Sequence, residues 1–252
     1  MGSWMTRTSQ PELDVWVQGV RLRVRTAKGV EPTPFSLFIA NMMRVGVSHE
    51  LAVDAGAGGG LLAIALARLG MANVIGVERN ACACEIFAEN VRLNRVAQQV
   101  TVVHADIADY TTPTAASLVV ANPPTIPERP GLPEFVAGAG PDGLQFLRLL
   151  FQRSLAWLAQ DGEIQFVASS LVGRKRLAGL AAQDGWSLEP RGSELVPLRS
   201  FYGLVFGTRA DGTIAPPQAQ DRDGRIFHQN EIITVYRARR EAKTRLGGRH
   251  TS

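Results

Sequence analysis

The sequence predicts an α/β protein with a mostly parallel sheet and helices on both faces, and three observations lead to this fold class. The first is residues 51–61, where a short apolar run ends at Asp54, passes through a loop with four glycines and enters a helical pattern. The second is the alternation of short apolar runs with amphipathic helical patterns along the rest of the chain. The third is a polar side chain after each of four successive strands, which is typical of the ligand-binding edge of an open α/β sheet.

The glycine-rich loop indicates a ligand bound against the backbone. A Cβ in such a loop would block both a turn with positive φ and the close approach of a ligand. The spacing does not fit the dinucleotide motif Gly-x-Gly-x-x-Gly, because counting from Gly56 the last position falls on Leu61. The pattern from Asp54 to Gly60 is instead Asp-x-Gly-x-Gly-x-Gly, with Gly58 at its centre. The sequence therefore disfavours NAD.

Three further polar residues follow the next three predicted strands. Glu78 ends the second strand, about 20 residues after the glycine loop begins, where a ribose-binding acid is expected. Asp106 follows the third strand and is placed to accept a hydrogen bond from an adenine amino group, better than Asp109 further into the loop. Asn122 follows the fourth strand. Because the carboxyl ends of parallel strands share one edge of a sheet, these residues should line one site with Asp54.

The remaining periodicity predicts the rest of the architecture. Residues 15–25 alternate with period two, which predicts a strand pair with three arginines on one face, either a solvated face or a rim for an acidic substrate. Residues 162–168, 186–195 and 201–206 are predicted as the fifth, sixth and seventh strands of the sheet. Residues 232–236 are predicted as an additional strand at its edge.

Composition narrows the class of protein. With 252 residues, 45% of them hydrophobic, the chain can bury one sizeable core. No apolar run reaches the roughly 18 residues that span a bilayer, and residues 1–10 lack the apolar core of a signal peptide. We therefore expect a cytoplasmic protein with no membrane partner. Cys82 and Cys84 are too few and wrongly spaced for a zinc site, so we interpret them as reduced packing residues and expect no metal.

The charge pattern leaves two interpretations open. The net charge is +4 and the pI about 9.5, but the excess is concentrated near the C-terminus. The basic residues there are Arg237, Arg239, Arg240, Lys243, Arg245 and Arg249, against the single acid Glu241. A solvated tail is the simpler interpretation, and a contact with nucleic acid is the alternative.

Two stretches show a resemblance to a known family: Asn-Pro-Pro-Thr-Ile-Pro at residues 122–127 and Ala-Gly-Pro-Asp-Gly-Leu at residues 139–144. With the glycine loop, which is similar to motif I of class I S-adenosylmethionine (SAM) methyltransferases, they resemble the Asn-Pro-Pro group of that class. Within it, the chain is most similar to the release-factor glutamine N5-methyltransferases, over about residues 51–188.

The resemblance implies a seven-stranded Rossmann-like sheet and SAM as the cofactor. It implies a small N-terminal cap in residues 1–48, a SAM-binding catalytic core in residues 49–208 and a C-terminal extension with a basic tail in residues 209–252. Residues 32–35 would form a segment that closes over the cofactor. The implied cofactor-binding residues are Asp54, Gly56, Gly58, Glu78, Asp106 and Asn122.

The family's chemistry implies catalytic roles for Asn122 and Pro123. A planar amide or exocyclic amine is a poor nucleophile because its lone pair is delocalised. In the family, the Asn side-chain oxygen and the first Pro carbonyl accept its two N–H bonds and turn the lone pair toward the sulfonium methyl group. Thr125 departs from this pattern, since the family usually has an aromatic ring there. Either Phe135 or Phe146 replaces that ring, or the substrate is a smaller, non-planar amine.

Three functions follow as expectations. The first is a SAM-dependent N-methyltransferase acting on an amide or amine of a protein, peptide or amino-acid-like metabolite. The second keeps the fold and methylates a base amine of a nucleic acid. The third uses SAM itself as the substrate, with intramolecular attack of its α-amine giving azetidine-2-carboxylate and methylthioadenosine. The sequence leaves the acceptor and the oligomeric state open.

Overall fold

The computed structural model of the chain describes residues 11–27, 29–45, 48–128, 139–197, 219–220, 226–227 and 230–240. The strands in these residues are β1 (Glu12–Val17), β2 (Val20–Arg25), β3 (Ser48–Ala55), β4 (Met71–Glu78), β5 (Val100–His104), β6 (Ala116–Ala121), β7 (Leu158–Ser169), β8 (Trp186–Pro197), β9 (Ala219–Gln220), β10 (Ile226–Phe227) and β11 (Asn230–Arg240). The α-helices are α1 (Pro34–Met42), α2 (Leu61–Arg68), α3 (Ala81–Leu93), α4 (Gln145–Trp157) and α5 (Arg174–Gln183).

Seven strands form one mixed sheet in the order β5-β4-β3-β6-β7-β11-β8. The pairs from β5 through β7 are parallel, and β11 is antiparallel to both β7 and β8. Neighbouring residues of β3 face opposite sides, with Ala52 in the core under α2 and α3 and Val53 in the core under α4 and α5. The predicted seven-stranded Rossmann-like sheet with helices on both faces is therefore confirmed.

The position of β11 corrects one prediction. Residues 232–236 lie within β11, which pairs with β7 on one side and β8 on the other, so the prediction of an edge strand is wrong. The physical reason is burial on both faces: Ile233 and Val235 pack into one core, and Tyr236 and Ala238 into the other. The predicted strand at residues 201–206 lies outside the described residues.

The predicted N-terminal strand pair is present as the antiparallel hairpin β1–β2, which turns at Gln18 and Gly19. Its arginines form ion pairs, namely Arg21 with Asp14, Arg23 with Glu12, and Arg25 with Glu89. Opposite charges are thus interspersed on this surface. This pattern favours the solvated-face interpretation over a rim for an acidic substrate.

Two asparagines on α3 join this hairpin to the sheet. Asn90 is fully buried, and its side-chain amide accepts from the Arg25 N–H at 2.6 Å and donates to the Arg25 carbonyl at 3.1 Å and the Gly59 carbonyl at 2.9 Å. One turn later, Asn94 pairs with both backbone groups of Arg23 at 3.0 and 2.7 Å. The two side-chain amides hydrogen-bond to the backbone N–H and C=O groups along the edge of β2, as a neighbouring strand would.

The interpretation of the basic C-terminus is refined in part. Arg237 and Arg239 belong to β11 and form ion pairs with Glu163, and Arg237 also pairs with Glu189. These arginines are therefore part of the sheet and not of a tail. The residues that follow position 240 lie outside the described part of the chain.

The cysteines are both free. Cys84 is half-buried and its Sγ donates to the Glu78 carbonyl at 3.4 Å, whereas Cys82 is exposed, so the prediction of a packing role is wrong for Cys82, which faces solvent on α3. Within the described ranges, no helix is both long and apolar enough to cross a membrane.

Candidate active site

A cavity of about 1210 Å³ lies at the carboxyl edge of the sheet, where β3, β4, β5 and β6 end. The residues predicted for cofactor binding and catalysis all line it: Asp54, Gly56, Gly58, Glu78, Asp106, Asn122 and Pro123. The structure thus brings together residues from four separate strand ends, in the arrangement that parallel strands impose. Their individual roles remain predictions.

The glycines of the loop between β3 and α2 serve two different purposes. Gly58 has φ +53°, and a Cβ added to it would meet no protein atom within 4 Å, so its open side faces free space in the cavity wall. Gly60 has φ +84°, and an added Cβ would lie 1.9 Å from Cδ2 of Phe87. Gly60 is therefore needed for packing against α3, whereas Gly58 leaves room for a ligand.

Asp54 is a buried carboxyl group that lines the cavity. It is 1% exposed; its Oδ2 accepts from the Ala63 N–H at 2.9 Å, and its Oδ1 is buried with no hydrogen-bond partner among the described residues. Burial raises the pKa of Asp54 to about 7, against the opposing effect of the Ala63 hydrogen bond, and the nearby Glu78 charge adds to the rise. An orphaned buried oxygen of this kind fits a polar or cationic ligand group.

Glu78 and Asp106 occupy the side of the cavity toward β4 and β5. The Glu78 carboxylate accepts from the Gly58 and Asn80 N–H groups, both at 2.8 Å. Asp106 Oδ1 accepts from the Ala108 N–H at 2.9 Å, and its Oδ2 lies 3.9 Å from the Arg79 guanidinium. Asp106 therefore begins a turn and also lines the cavity, so the turn does not exclude a ligand role.

Asn122 and Pro123 lie on the loop that follows β6. The Asn122 side chain lines the cavity and forms no hydrogen bond with the described part of the chain. The loop is braced by the second stretch of the family resemblance: the Glu128 N–H donates to the Gly140 carbonyl at 3.0 Å, and the Gly140 N–H donates to Glu128 Oε1 at 3.2 Å. The second stretch is thus hydrogen-bonded to Glu128, the residue that directly follows the first stretch.

The aromatic residues of the cavity come from outside this loop. Thr125 is buried at 8% exposure. Phe146, in the first turn of α4, lines the cavity, and its ring lies over Gly56, where an added Cβ would stand 3.0 Å from Cζ. Phe135, the other candidate from the sequence, lies outside the described residues.

The segment expected to close over the cofactor borders the cavity as well. Pro32, Thr33 and Phe35 line it, at the start of α1, and a reciprocal pair of hydrogen bonds between Thr33 and Ser36 caps that helix. Sequence reasoning missed Ser36, Asn80 and Gln145 as lining residues. Among these three residues, only Ser36 belongs to a recognisable sequence pattern, the Thr-x-x-Ser spacing at the start of the helix. That pattern predicts a helix cap and not a binding site.

The sequence matches the profile of the TRM5/TYW2 methyltransferase domain over residues 18–128. It is 25% identical over 190 residues to a protein of Methanocaldococcus jannaschii named "Putative protein N5-glutamine methyltransferase MJ0928", with 73% of this chain and 94% of the relative covered.

Solved structures share the fold. M. jannaschii TYW2 in complex with AdoMet superposes with a TM-score of 0.51 at 18% identity, covering 92% of this chain and 88% of that one. The M. jannaschii tRNA m1G37 methyltransferase superposes with a TM-score of 0.55 at 16% identity, covering 93% of this chain and 58% of that one.

The Rossmann-like sheet, the glycine loop at its edge and the profile match define a SAM-dependent methyltransferase. Its cofactor is S-adenosylmethionine. The residues present fit that molecule, because the open side of Gly58, the buried Asp54 oxygen and the Glu78 carboxylate face one cavity of sufficient size.

Proposed function

We propose that this enzyme methylates an amide or amine nitrogen of a protein, peptide or amino-acid-like metabolite. The observation that carries the proposal is Asn122: a side-chain amide at the end of β6, lining the cavity and free of hydrogen bonds to the described residues. An unsatisfied amide oxygen next to a proline carbonyl is an acceptor pair for the two N–H bonds of a planar nitrogen. Similarity to MJ0928 supports an amide of a protein as the acceptor.

The chain's own residues would catalyse by positioning. Asn122 Oδ1 and the Pro123 carbonyl would accept the acceptor's N–H bonds and orient its lone pair toward the methyl group. When bound, SAM would supply an electrophilic sulfonium methyl group for transfer to the acceptor nitrogen, with S-adenosylhomocysteine as the leaving product and the proton of the nitrogen passing to solvent. A rigid loop would preserve this geometry, and the two hydrogen bonds between Glu128 and Gly140, one to the backbone and one to the Glu128 carboxylate, serve that purpose.

Charge supports a neutral or cationic acceptor over a nucleic acid. The acidic side chains that line the cavity within the described residues are Glu31, Asp54, Glu78 and Asp106, and the basic one is Arg79. Arg79 lies 3.9 Å from Asp106 and is therefore offset by it. Glu31 is the acid among these lining residues that has no proposed cofactor role, and its negative charge disfavours a phosphodiester close to it.

A nucleic-acid base is the second candidate acceptor. The match to the TRM5/TYW2 methyltransferase domain and the likeness to a tRNA m1G37 methyltransferase favour it. A base amine is planar like an amide, so the same Asn122–Pro123 pair would suit either chemistry.

Product analysis by mass spectrometry tests these functions together. SAM is incubated with the enzyme alone, with a pool of glutamine-containing peptides, or with unmodified tRNA transcripts, and Asn122→Ala serves as the control for the catalytic residue. The proposal expects S-adenosylhomocysteine with the peptides only. Its formation with tRNA only would establish the second candidate. Methylthioadenosine without any acceptor would show that SAM itself is the substrate.

A further inference from the structure

Within residues 122–128, the part of the loop after Asn122 that the structure describes, no side chain is aromatic. Thr125 occupies the position where the resembling enzymes have a ring, and its side chain is neither flat nor large. Its carbonyl is packed against Gly143, where an added Cβ would come within 2.7 Å. A planar acceptor group held only at its two N–H bonds can still rotate out of alignment, so its flat face needs support from another element.

Phe146 is an aromatic residue that lines the same cavity from the start of α4. Its ring stands over Gly56 at the end of β3, with Cζ 3.0 Å and Cε2 3.1 Å from an ideal Cβ built there. The helix that carries it, α4, connects β6 to β7, and β6 lies between β3 and β7 in the sheet. Asp54 of β3 is paired with Val120 of β6, so Gly56 and Asn122 each lie two residues beyond a paired position on neighbouring strands. Phe146 and Asn122 line the same cavity.

Backbone contacts fix Phe146 relative to the Asn122 loop. The Gln145 N–H donates to the Ala139 carbonyl at 2.8 Å, next to Gly140, which is bonded to Glu128 on that loop. Asp142 accepts from the Leu144 N–H at 3.0 Å and forms an ion pair with Arg148. The start of α4 is therefore held on the loop, and the ring has a defined place in the cavity.

We infer that Phe146 packs its ring against the planar nitrogen-bearing group of the acceptor and so positions that group at Asn122. This inference rests on the proposed function, since it concerns the acceptor of the same reaction. It assigns the aromatic contact to a helix on the α4 face of the sheet and not to the motif loop. Specificity for planar acceptors would then depend on residue 146.

Two ligands separate the acceptor contact from cofactor binding. One is S-adenosylhomocysteine. The other is a bisubstrate adduct, in which the adenosyl portion is linked through one carbon to the nitrogen of a glutamine-type carboxamide. Calorimetry gives the Kd of each for the wild type and for three variants: Phe146→Leu, Phe146→Tyr and Phe35→Leu. The last is the matched control, because Phe35 lines the same cavity from the opposite face of the sheet.

We expect the wild type to bind the adduct more tightly than S-adenosylhomocysteine. Phe146→Leu should reduce this advantage about tenfold while leaving the Kd of S-adenosylhomocysteine within about twofold. Phe146→Tyr should retain the advantage, and Phe35→Leu should change both affinities equally. Melting temperatures verify folding, and Phe146→Met replaces the leucine variant if that variant is unfolded.

Three results would overturn the inference: no advantage of the adduct in the wild type, equal weakening of both ligands by Phe146→Leu, or no change with that variant. Turnover by the wild type is measured in parallel. If no amide acceptor is methylated while the adduct's advantage still depends on Phe146, the proposed function fails and the aromatic contact stands.

Discussion

The carboxylate of Glu78 holds the glycine-rich loop in place: its Oε2 accepts a hydrogen bond of 2.8 Å from the backbone N–H of Gly58. Each carboxylate oxygen has a further lone pair, so Glu78 can bind the loop and still accept from a ribose diol. This contact joins the two sequence features, the glycines after β3 and the acid after β4, in one structural unit. A change in Glu78 should therefore alter both the loop and the binding of SAM.

Glu78→Ala should weaken SAM binding by one to two decades. The variant loses a charge-assisted interaction with the ribose, worth about 1.5–3 kcal/mol, and leaves the Gly58 and Asn80 N–H groups unpaired. Calorimetric titration measures the affinity. Glu89→Gln, which alters an acid paired with Arg25 outside the cavity, is the control and should bind SAM normally. Unchanged affinity in Glu78→Ala would exclude the ribose assignment.

Gly58→Asn should fold but fail to bind SAM. Asparagine tolerates a positive φ, and its side chain would meet no protein atom near Cβ, so the substitution fills ligand space with little strain. Gly60→Ala is the informative contrast, because its Cβ would collide with Phe87 and lower stability. Melting temperature and SAM affinity are measured for both. Normal SAM binding by Gly58→Asn would show that the loop has only a structural role.

Asn122→Ala should bind SAM within a few-fold of the wild type and turn over about a hundredfold more slowly. Asn122 is placed to contact the attacking group, so its loss should appear mainly in the transition state, at a cost of about 3 kcal/mol. Affinity, melting temperature and product formation are measured on one preparation. A stable, binding-competent and fully active Asn122→Ala enzyme would remove the proposed mechanism. Asn122→Asp should retain part of the activity, since a carboxylate also accepts.

The buried Asp54 predicts a pH dependence of stability. Its pKa is raised to about 7 in the folded protein, so the folded state binds a proton more tightly than the unfolded chain does. The free energy of unfolding should therefore fall as pH rises from about 4 to about 7, by about 1.4 kcal/mol for each unit of the pKa shift. Asp54→Asn should flatten this part of the profile in denaturant titrations at several pH values. Asp109→Asn, an exposed carboxylate variant, should leave it unchanged, and an unaltered slope in Asp54→Asn would contradict the assignment.

Asn90→Ala should destabilise the protein by about 3 kcal/mol. It removes three hydrogen bonds and leaves partly buried backbone groups of Arg25 and Gly59 without these partners. Because Gly59 lies in the glycine-rich loop, SAM affinity should fall as well. Urea denaturation measures the first effect and calorimetry the second. Asn80→Ala, which removes a single helix-capping bond to the Ala83 N–H, should cost about 1 kcal/mol and sets the scale; equal losses in both variants would show that Asn90 does not join the hairpin to the loop.

Local patterns were sufficient to locate the candidate site. Asp54, Glu78, Asp106 and Asn122 each follow a short apolar run, and parallel strands bring such ends to one edge whatever the details of packing. The glycine spacing likewise follows from backbone conformation, which depends on the residue itself. These features can be predicted from the sequence, because the hydrophobic periodicity of a strand and the point where it ends depend on residues close together in the chain.

Other features depended on contacts between residues far apart in the chain. Such contacts place β11 between β7 and β8. They also pair Asn90 with Arg25, 65 positions away, and bring the ring of Phe146 over Gly56. The hydrophobic periodicity of a strand predicts which of its faces are buried, but it does not predict which strands lie beside it. Similarly, the sequence does not show which backbone groups the side chain of a helical asparagine will hydrogen-bond. The sequence by itself determined the edge of the sheet and the polar groups along it. Only the tertiary structure decided that the Phe146 ring lies over Gly56 at that edge, because packing between distant residues brings α4 there.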